Sequence, residues 1–193
     1  MTTIETRRLV LRDFTLLDLG AYRRIRDDVK FQRFYSEDDA CPDRTDALLK
    51  MFVDQALERP RTKYQFAVLS RSGELMGSCG VRLEGAGRAS VGCELARTWH
   101  GSGAALEAAE AVIDFGFRTL NADCVYAETL ADNKAALRLC GALGMRIEPE
   151  RTARTFFRNR WWTTVVLSMS AHRWRENESR AAGGMTPPAR LPD

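Results

Sequence analysis

Residues 97–103, Arg97-Thr98-Trp99-His100-Gly101-Ser102-Gly103, follow a strand-like run and lead directly into a helical pattern. A strand, a glycine loop and a helix N-terminus in succession form an anion site. The first N–H groups of a helix have no partner within it, and the helix dipole adds partial positive charge there. Gly101 and Gly103 free the backbone from the limits that a side chain imposes, so a pyrophosphate can approach it. The spacing is not the dinucleotide fingerprint: Ala104-Ala105-Leu106 follows the second glycine, and the loop comes after a run of hairpins. Other chemistry is poorly represented. His100 and His172 are the two histidines, and they lack metal-ligand spacing; no metal site is expected. The five cysteines are dispersed without a CxxC pair, which fits a reduced, cytoplasmic protein better than a disulfide scaffold. Neither a GxSxG elbow nor a P-loop occurs.

The loop needs elements on both sides to hold it. Apolar spacing predicts a first strand over 4–14 and a helix over 16–27. An acidic loop with Glu37, Asp38 and Asp39 follows, then a helix from Asp43 to about Leu57, ended near Pro60. Strands are expected over 64–70, 74–83 and 89–96, joined by turns at Ser72-Gly73 and Gly85–Gly87. After the glycine loop, Leu106, Ala109, Ile113, Phe117 and Leu120 form one stripe of a helix. A strand over 124–130, a helix from Asp132 or Asn133 to Leu143 stopped by Gly144, and strands near 145–157 and 160–171 complete the order. Hairpins mixed with a βαβ unit indicate an α/β sandwich around one mixed sheet.

The chain has 193 residues, 45% hydrophobic and 28% charged. That suits one soluble domain, large enough to bury roughly two-thirds of its unfolded surface without a staple. We expect a single domain over 1–175 and a disordered tail over 176–193, which holds three of the six prolines. No apolar run reaches membrane-spanning length and no signal-peptide core opens the chain. The net charge of +3 is too small to argue for nucleic acid.

Several stretches, in order, resemble the GNAT N-acetyltransferases, and within them the ribosomal-protein alanine acetyltransferase (Rim-like) group. Arg7-Arg8-Leu9-Val10-Leu11-Arg12 is similar to their opening strand. Met76-Gly77-Ser78-Cys79-Gly80 and Val91-Gly92-Cys93-Glu94-Leu95 are similar to their third and fourth. His100-Gly101-Ser102-Gly103-Ala104-Ala105 resembles the acetyl-CoA motif, with Glu107-Ala108 continuing it. Ala127, Thr129, Asn133 and Leu143-Gly144-Met145 resemble the fifth strand and fourth helix. The resemblance implies a mixed, mostly antiparallel sheet with a central V-shaped splay, flanked by about four helices. It implies acetyl-CoA as acyl donor, its pyrophosphate cradled by the backbone from His100 to Ala105. Pantetheine would pair with the free strand edge near Cys93 and Leu95, where an N–H would polarise the thioester carbonyl. Asn133 would fix the pantetheine arm, or act as a plain N-cap.

Direct acetyl transfer to an amine requires a base for the ammonium and an acid for the leaving thiolate. Glu128 is the first candidate base and Glu94 the second, with a water chain as the remaining route. Many relatives place a Tyr seven residues after the Asn; this chain has Cys140 there. That thiol is either the acid or a small apolar core residue. Ala136 stands where Rim-like members often carry Ser, and His100 where the motif has Gln or Arg.

The acceptor site implied by the resemblance lies among the first two helices, their loop and the last hairpin. The acidic loop, Phe156-Phe157 and Trp161-Trp162 fall there, each with a structural reading as solvated loop or core. The resemblance implies an amine acceptor, on a small molecule or on a peptide or protein N-terminus, and the sequence leaves open a protein N-terminus, a free amino acid or polyamine, or an amine-bearing antibiotic; nucleic acid and membrane partners are not expected, and a homodimer is left open. An acyl-CoA-binding regulatory module without catalysis, or an acyltransferase using another acyl-CoA, are the alternatives. Residues 146–175 carry seven Arg against two Glu, so Arg158 and Arg160 would suit an acceptor with a carboxylate or phosphate beside its amine.

Overall fold

The computed structural model describes residues 1–149 and 151–183. Among them, nine strands form one sheet: β1 (Thr3–Glu5), β2 (Leu9–Asp13), β3 (Lys63–Ser70), β4 (Leu75–Leu83), β5 (Arg88–Leu95), β6 (Cys124–Leu130), β7 (Arg146–Ile147), β8 (Ala153–Phe157) and β9 (Arg160–Ser170). The order is β1-β2-β3-β4-β5-β6-β9-β7, with β8 also on β9. Every pairing is antiparallel except β5 with β6. The mixed, mostly antiparallel sheet agrees with the expected class.

Five helices cover its faces: α1 (Leu19–Arg26), α2 (Pro42–Leu57), α3 (Ala104–Arg118), α4 (Lys134–Ala142) and α5 (Ala171–Gly183). Alternation along each strand sends side chains to opposite faces. One face packs Leu9, Leu11, Phe66, Val81 and Val125 against Ala108, Val112 and Ile113 of α3. The other packs Phe14, Ala67 and Leu69 against Tyr22 of α1 and Leu49 and Phe52 of α2. Each fully buried large side chain contributes about 1.5–3 kcal/mol to keeping its helix on the sheet.

Local differences from the sequence expectation have local causes. The first strand divides into β1 and β2 around a tight turn in which the Thr6 N–H donates to the Leu9 carbonyl, 3.0 Å. The Cys41 residue, not Asp43, caps α2, because Pro42 occupies the first helical position, where its missing N–H costs nothing. The expected strand 145–157 is two short pieces, β7 and β8. The final helix α5 runs eight residues into the segment read as tail. Its polar sequence is held to α3 by Arg118, which donates to both Glu178 oxygens at 2.7 and 2.9 Å, and by Trp174 beside Phe117. Residues 184–193 of that expected tail lie outside the described residues. No helix among the described residues is long and apolar enough to cross a membrane.

Candidate active site

β5 and β6 pair through only three residues, Arg88 with Cys124, Ala89 with Val125 and Ser90 with Tyr126. Beyond Ser90, β5 continues against β4 as far as Leu95, and β6 continues against β9 as far as Leu130. The two strands therefore diverge, and the expected V-shaped splay opens between them. Hydrogen-bond parity decides which groups line it. Ala96 N–H donates to Met76 and Glu84 N–H donates to Arg88, so the even-numbered β5 residues bond to β4. In an antiparallel pair the alternate residues point their N–H and C=O the other way. The backbone groups of the odd residues accordingly point toward β6: the Val91 N–H is taken by the last parallel pair, Ser90 with Tyr126, and beyond it the groups of Cys93 and Leu95 face the splay.

The glycine loop lies at the open end of the splay. Gly101 and Gly103 have φ of 77° and 81°, a left-handed backbone that side chains disfavour. Gly103 caps α3, a helix of 15 residues. Ser102 Oγ donates to the Trp99 carbonyl at 2.7 Å and accepts from Ala104 N–H at 3.2 Å. The exposed His100 ring bends back toward the end of β5. Its Nε2 lies 3.1 Å from the Leu95 carbonyl, which only accepts, so this ring nitrogen carries the proton. That contact occupies the Leu95 carbonyl and leaves the Leu95 N–H and both Cys93 groups on the splay.

A cation that sequence reasoning passed over stands at the loop. Arg8, between β1 and β2, donates to the Ser102 carbonyl at 2.9 Å and to Glu107 on α3 at 2.6 Å. A Cβ placed on Gly103 would lie 3.1 Å from Arg8 Nη2. Thr6 and the Arg8 N–H complete the grip on Glu107. The carboxyl of Glu107 is pushed up by burial, but these hydrogen bonds and the Arg8 charge outweigh that and hold it below the usual carboxylate range. The only sequence signal was the resemblance of the opening strand, which says nothing of side-chain direction.

Glu94 and Glu128 share a sheet face, the one covered by α1 and α2, but their surroundings differ. Glu94 Oε1 accepts from Tyr22 Oη at 2.7 Å and Ser78 Oγ at 3.1 Å. Its Oε2 accepts from Tyr35 Oη at 2.5 Å and Arg26 Nη1 at 3.4 Å. Arg26 is itself buried and also donates to the Asp39 carbonyl at 2.7 Å and Thr45 Oγ1 at 3.2 Å. Burial first, and the Glu94 charge next, push both phenols well above the usual tyrosine range. Glu94 is thus a clamp between sheet, α1 and the 31–41 segment, with its lone pairs committed. Glu128 is exposed and has no hydrogen-bonded or ion-paired partner among the described residues. It lies two residues past Tyr126, level with Gly92 across the splay.

The remaining expected residues separate. Asn133 Oδ1 accepts from Ala136 N–H at 3.2 Å and caps α4. Cys140 is buried in the core with Leu143 and Met145, and burial pushes its thiol up; this environment suits the apolar-core reading and makes proton donation harder. Trp162 packs edge-on against Phe34 and flat on Phe157, whereas Trp161 and Phe156 are exposed on the opposite face. Arg158 donates to the Tyr35 carbonyl at 2.8 Å, and Arg160 pairs with Asp132. Both hairpin arginines expected to meet an acceptor anion are occupied by the protein itself. No three His, Cys, Asp or Glu side chains cluster as metal ligands among the described residues.

Residues 8–146 match the family described as acetyltransferase (GNAT) domain. This chain belongs to the GNAT acetyltransferases. The enzyme is 28% identical over 153 residues to an uncharacterized N-acetyltransferase p20 of Bacillus licheniformis, covering 77% of this chain and 84% of that protein. Its fold is similar to that of Mycobacterium smegmatis RimJ in complex with CoA-disulfide, with a TM-score of 0.75 at 18% identity and 94% of each chain covered. It is also similar to spermidine N-acetyltransferase from Vibrio cholerae in complex with CoA and spermine: TM-score 0.74, 17% identity, 88% of this chain and 99% of that one. The GNAT family and the acetyl-CoA-dependent acetyltransferase class agree with the sequence reading.

Proposed function

We propose that this enzyme transfers an acetyl group from acetyl-CoA directly to a primary amine, with Glu128 as base. The observation that carries it is the splay itself: free backbone groups at Cys93 and Leu95, a glycine loop at its mouth, and one unpaired carboxylate level with its middle. The residues fit acetyl-CoA. The loop from His100 to Ala105 offers N–H groups at a helix N-terminus, and a Cβ placed on Gly101 would meet no atom within 4 Å, so the approach is open. Acetyl-CoA, when bound, supplies an acyl group activated as a thioester. Cys93 and Leu95 orient it through edge hydrogen bonds, and a splay-facing N–H meets the charge that grows on the acyl oxygen. Asn133 would reach the pantetheine arm through its Nδ2, its Oδ1 being spent on the cap.

Glu128 takes one proton from the acceptor ammonium; the amine nitrogen bonds to the acyl carbon, the carbon–sulfur bond breaks, the nitrogen sheds its second proton to solvent to leave the neutral amide, the thiolate takes a proton from solvent, and Glu128 returns its own proton to solvent. Solvent is the proton source because Cys140 is buried and both phenols are committed to Glu94. Glu94 is a positioning residue in this scheme. The test is thiol release from acetyl-CoA against a panel of amines. Release that depends on an added amine, with N-acetyl product identified by mass, supports the reading. Tight CoA binding with no release on any amine overturns it in favour of a binding module, and release only from a larger acyl-CoA overturns the choice of donor. The absence of a membrane-spanning helix among the described residues is compatible with the cytoplasmic setting we propose.

A further inference from the structure

Cross-strand register lays out the acceptor face in rows. Lys63, Arg82 and Ser90 form one row; Gln65, Gly80 and Gly92 the next; Ala67, Ser78 and Glu94 the third. The middle row has two glycines, so the sheet is bare between polar walls. A hollow of about 220 Å³ lies there, lined by Gln55 of α2, Lys63, Gln65, Arg82 and Ser90 over Gly80 and Gly92. Gly80 is required by its neighbour: a Cβ would stand 2.3 Å from Gln65 Oε1. Gly92 is different, since a Cβ there meets nothing within 4 Å and would project into free space. Gln65 is fixed by donating Nε2 to Ser78 Oγ at 3.0 Å, which leaves its carbonyl oxygen over the floor. Gln55 is buried, and its Oε1 has no partner among the described residues; such an orphan is costly in a folded protein.

The charges around this hollow are ordered. Carboxylates stand at the splay, Glu128 level with Gly92 and Glu94 one row away. Neutral carboxamides stand in the middle. Lys63 and Arg82 stand at the far rim, neither in an ion pair with a described residue. Two residues along a strand span about 7 Å, so Arg82 lies about that far along β4 from Gly80. We propose that this hollow is the acceptor subsite of the reaction proposed above and that it takes a dipeptide-sized zwitterion. Its ammonium lies toward Glu128, its amide beside Gln55 and Gln65, and its carboxylate at Arg82 and Lys63. A second ammonium at the rim would meet two like charges, which selects against a polyamine. The proposal rests on the amine-acetylation reading but makes a narrower claim.

Acceptor kinetics with alanyl-alanine, alanyl-alanine amide and spermidine test it, together with calorimetry of CoA binding. We expect kcat/KM for the free dipeptide to exceed that for its amide, and for spermidine, by tenfold or more. Arg82→Glu should remove the preference for the carboxylate. Gly92→Val fills the hollow from a strand position with open space, so acceptor KM should rise at least tenfold while the CoA Kd changes less than twofold; Gly92→Ala should give a smaller rise in the same direction. Spermidine acetylated as well as the dipeptide, or unchanged acceptor KM in Gly92→Val, overturns the subsite and leaves amine acetylation standing. Loss of CoA binding in both Gly92 variants also overturns it, by showing that the hollow is not separate from the donor site. No acetylation of any amine with CoA binding intact overturns both readings.

Discussion

Replacing Glu94 and Glu128 separately by Gln should give opposite signatures. Glu94→Gln keeps the size of the side chain but removes the charge facing Arg26, whose side chain is 6% exposed while that of Glu94 is 20% exposed. Breaking a buried pair from one side costs about 3–5 kcal/mol, because the remaining charge is stranded. Arg26 keeps the Asp39 carbonyl and Thr45, and Glu94 is partly solvated, so we take about 2–3 kcal/mol as the expected loss. At about 2–4 °C per kcal/mol for a chain of this size, Tm should fall by about 4–12 °C. Glu128→Gln removes an exposed carboxylate without a described partner and should stay within about 0.5 kcal/mol of the parent. Its cost falls on turnover, about 10²–10⁴ in kcat/KM for a lost general base. Without a base only the free amine reacts, so the residual rate of Glu128→Gln should climb tenfold per pH unit until the amine's own pKa, about 8 for an α-amino group. Urea unfolding followed by Trp fluorescence and a pH series of thiol release measure the two halves. Unchanged stability in Glu94→Gln combined with a pH-dependent loss of turnover there, and full activity in Glu128→Gln, would exchange the two roles and refute the reasoning.

Arg8→Gln should weaken CoA binding about 3–10-fold, in keeping with about 1 kcal/mol for a partly exposed charge contact, and calorimetry at two salt concentrations reads it; equal affinity would show that Arg8 only braces the loop. Gly103→Val forces a left-handed position into strain and pushes a side chain toward Arg8, so CoA affinity should fall below detection while unfolding remains cooperative. Tyr22 and Tyr35 hold their protons in the folded state above the pH at which an unfolded tyrosine, at about 10, releases its own. The unfolded state then binds fewer protons, so stability should fall as pH rises through 10; absorbance titration at alkaline pH should show these two phenols ionising only with unfolding, and early reversible ionisation of all four tyrosines would contradict it. Arg158→Ala frees the hairpin turn from the Tyr35 and Gln32 carbonyls and should raise acceptor KM with CoA affinity unchanged; a change in CoA affinity instead would misplace the hairpin.

Periodicity and turn chemistry carried most of the fold. The Asn133 and Gly144 stops of α4 are local signals, and they read correctly; the stripe Leu106 to Leu120 located α3, but the buried face of that helix is Ala104, Ala108, Ala109, Val112, Ile113 and Gly116, and Leu120 lies past its end at Arg118. The splay was accessible only through resemblance, because which strands part depends on register between segments more than 30 residues apart. The same applies to the clamp: nothing near Glu94 in the chain announces that Tyr22, Tyr35 and Arg26 converge on it. Glu128 and Glu94 look alike as strand carboxylates, and only their partners separate an anchored group from a free one. Helix α5 was hidden because its own face is too polar to signal burial, and its partners Asp114, Phe117 and Arg118 lie on α3. The hollow over Gly80 and Gly92 was hidden for a related reason. Each glycine alone is an ordinary strand residue, and a gap appears only when register sets them side by side.

An unpaired strand edge is ordinarily a hazard, because it templates pairing with any extended polypeptide and leads to aggregation. The reaction proposed above uses such an edge at Cys93 and Leu95, and the fold keeps it in the interior of the sheet rather than on its border. A foreign strand entering there would have to fit side chains on both faces between β5 and β6, against α3 and Leu95 on one side and Glu94 and Glu128 on the other. A slender chain that carries amides but no side chains meets neither obstacle. On the proposed reading, the narrow divergence of two neighbouring strands would act as a filter that admits a slender amide chain and refuses a polypeptide, so that hydrogen-bonding backbone is exposed without becoming a seed for aggregation.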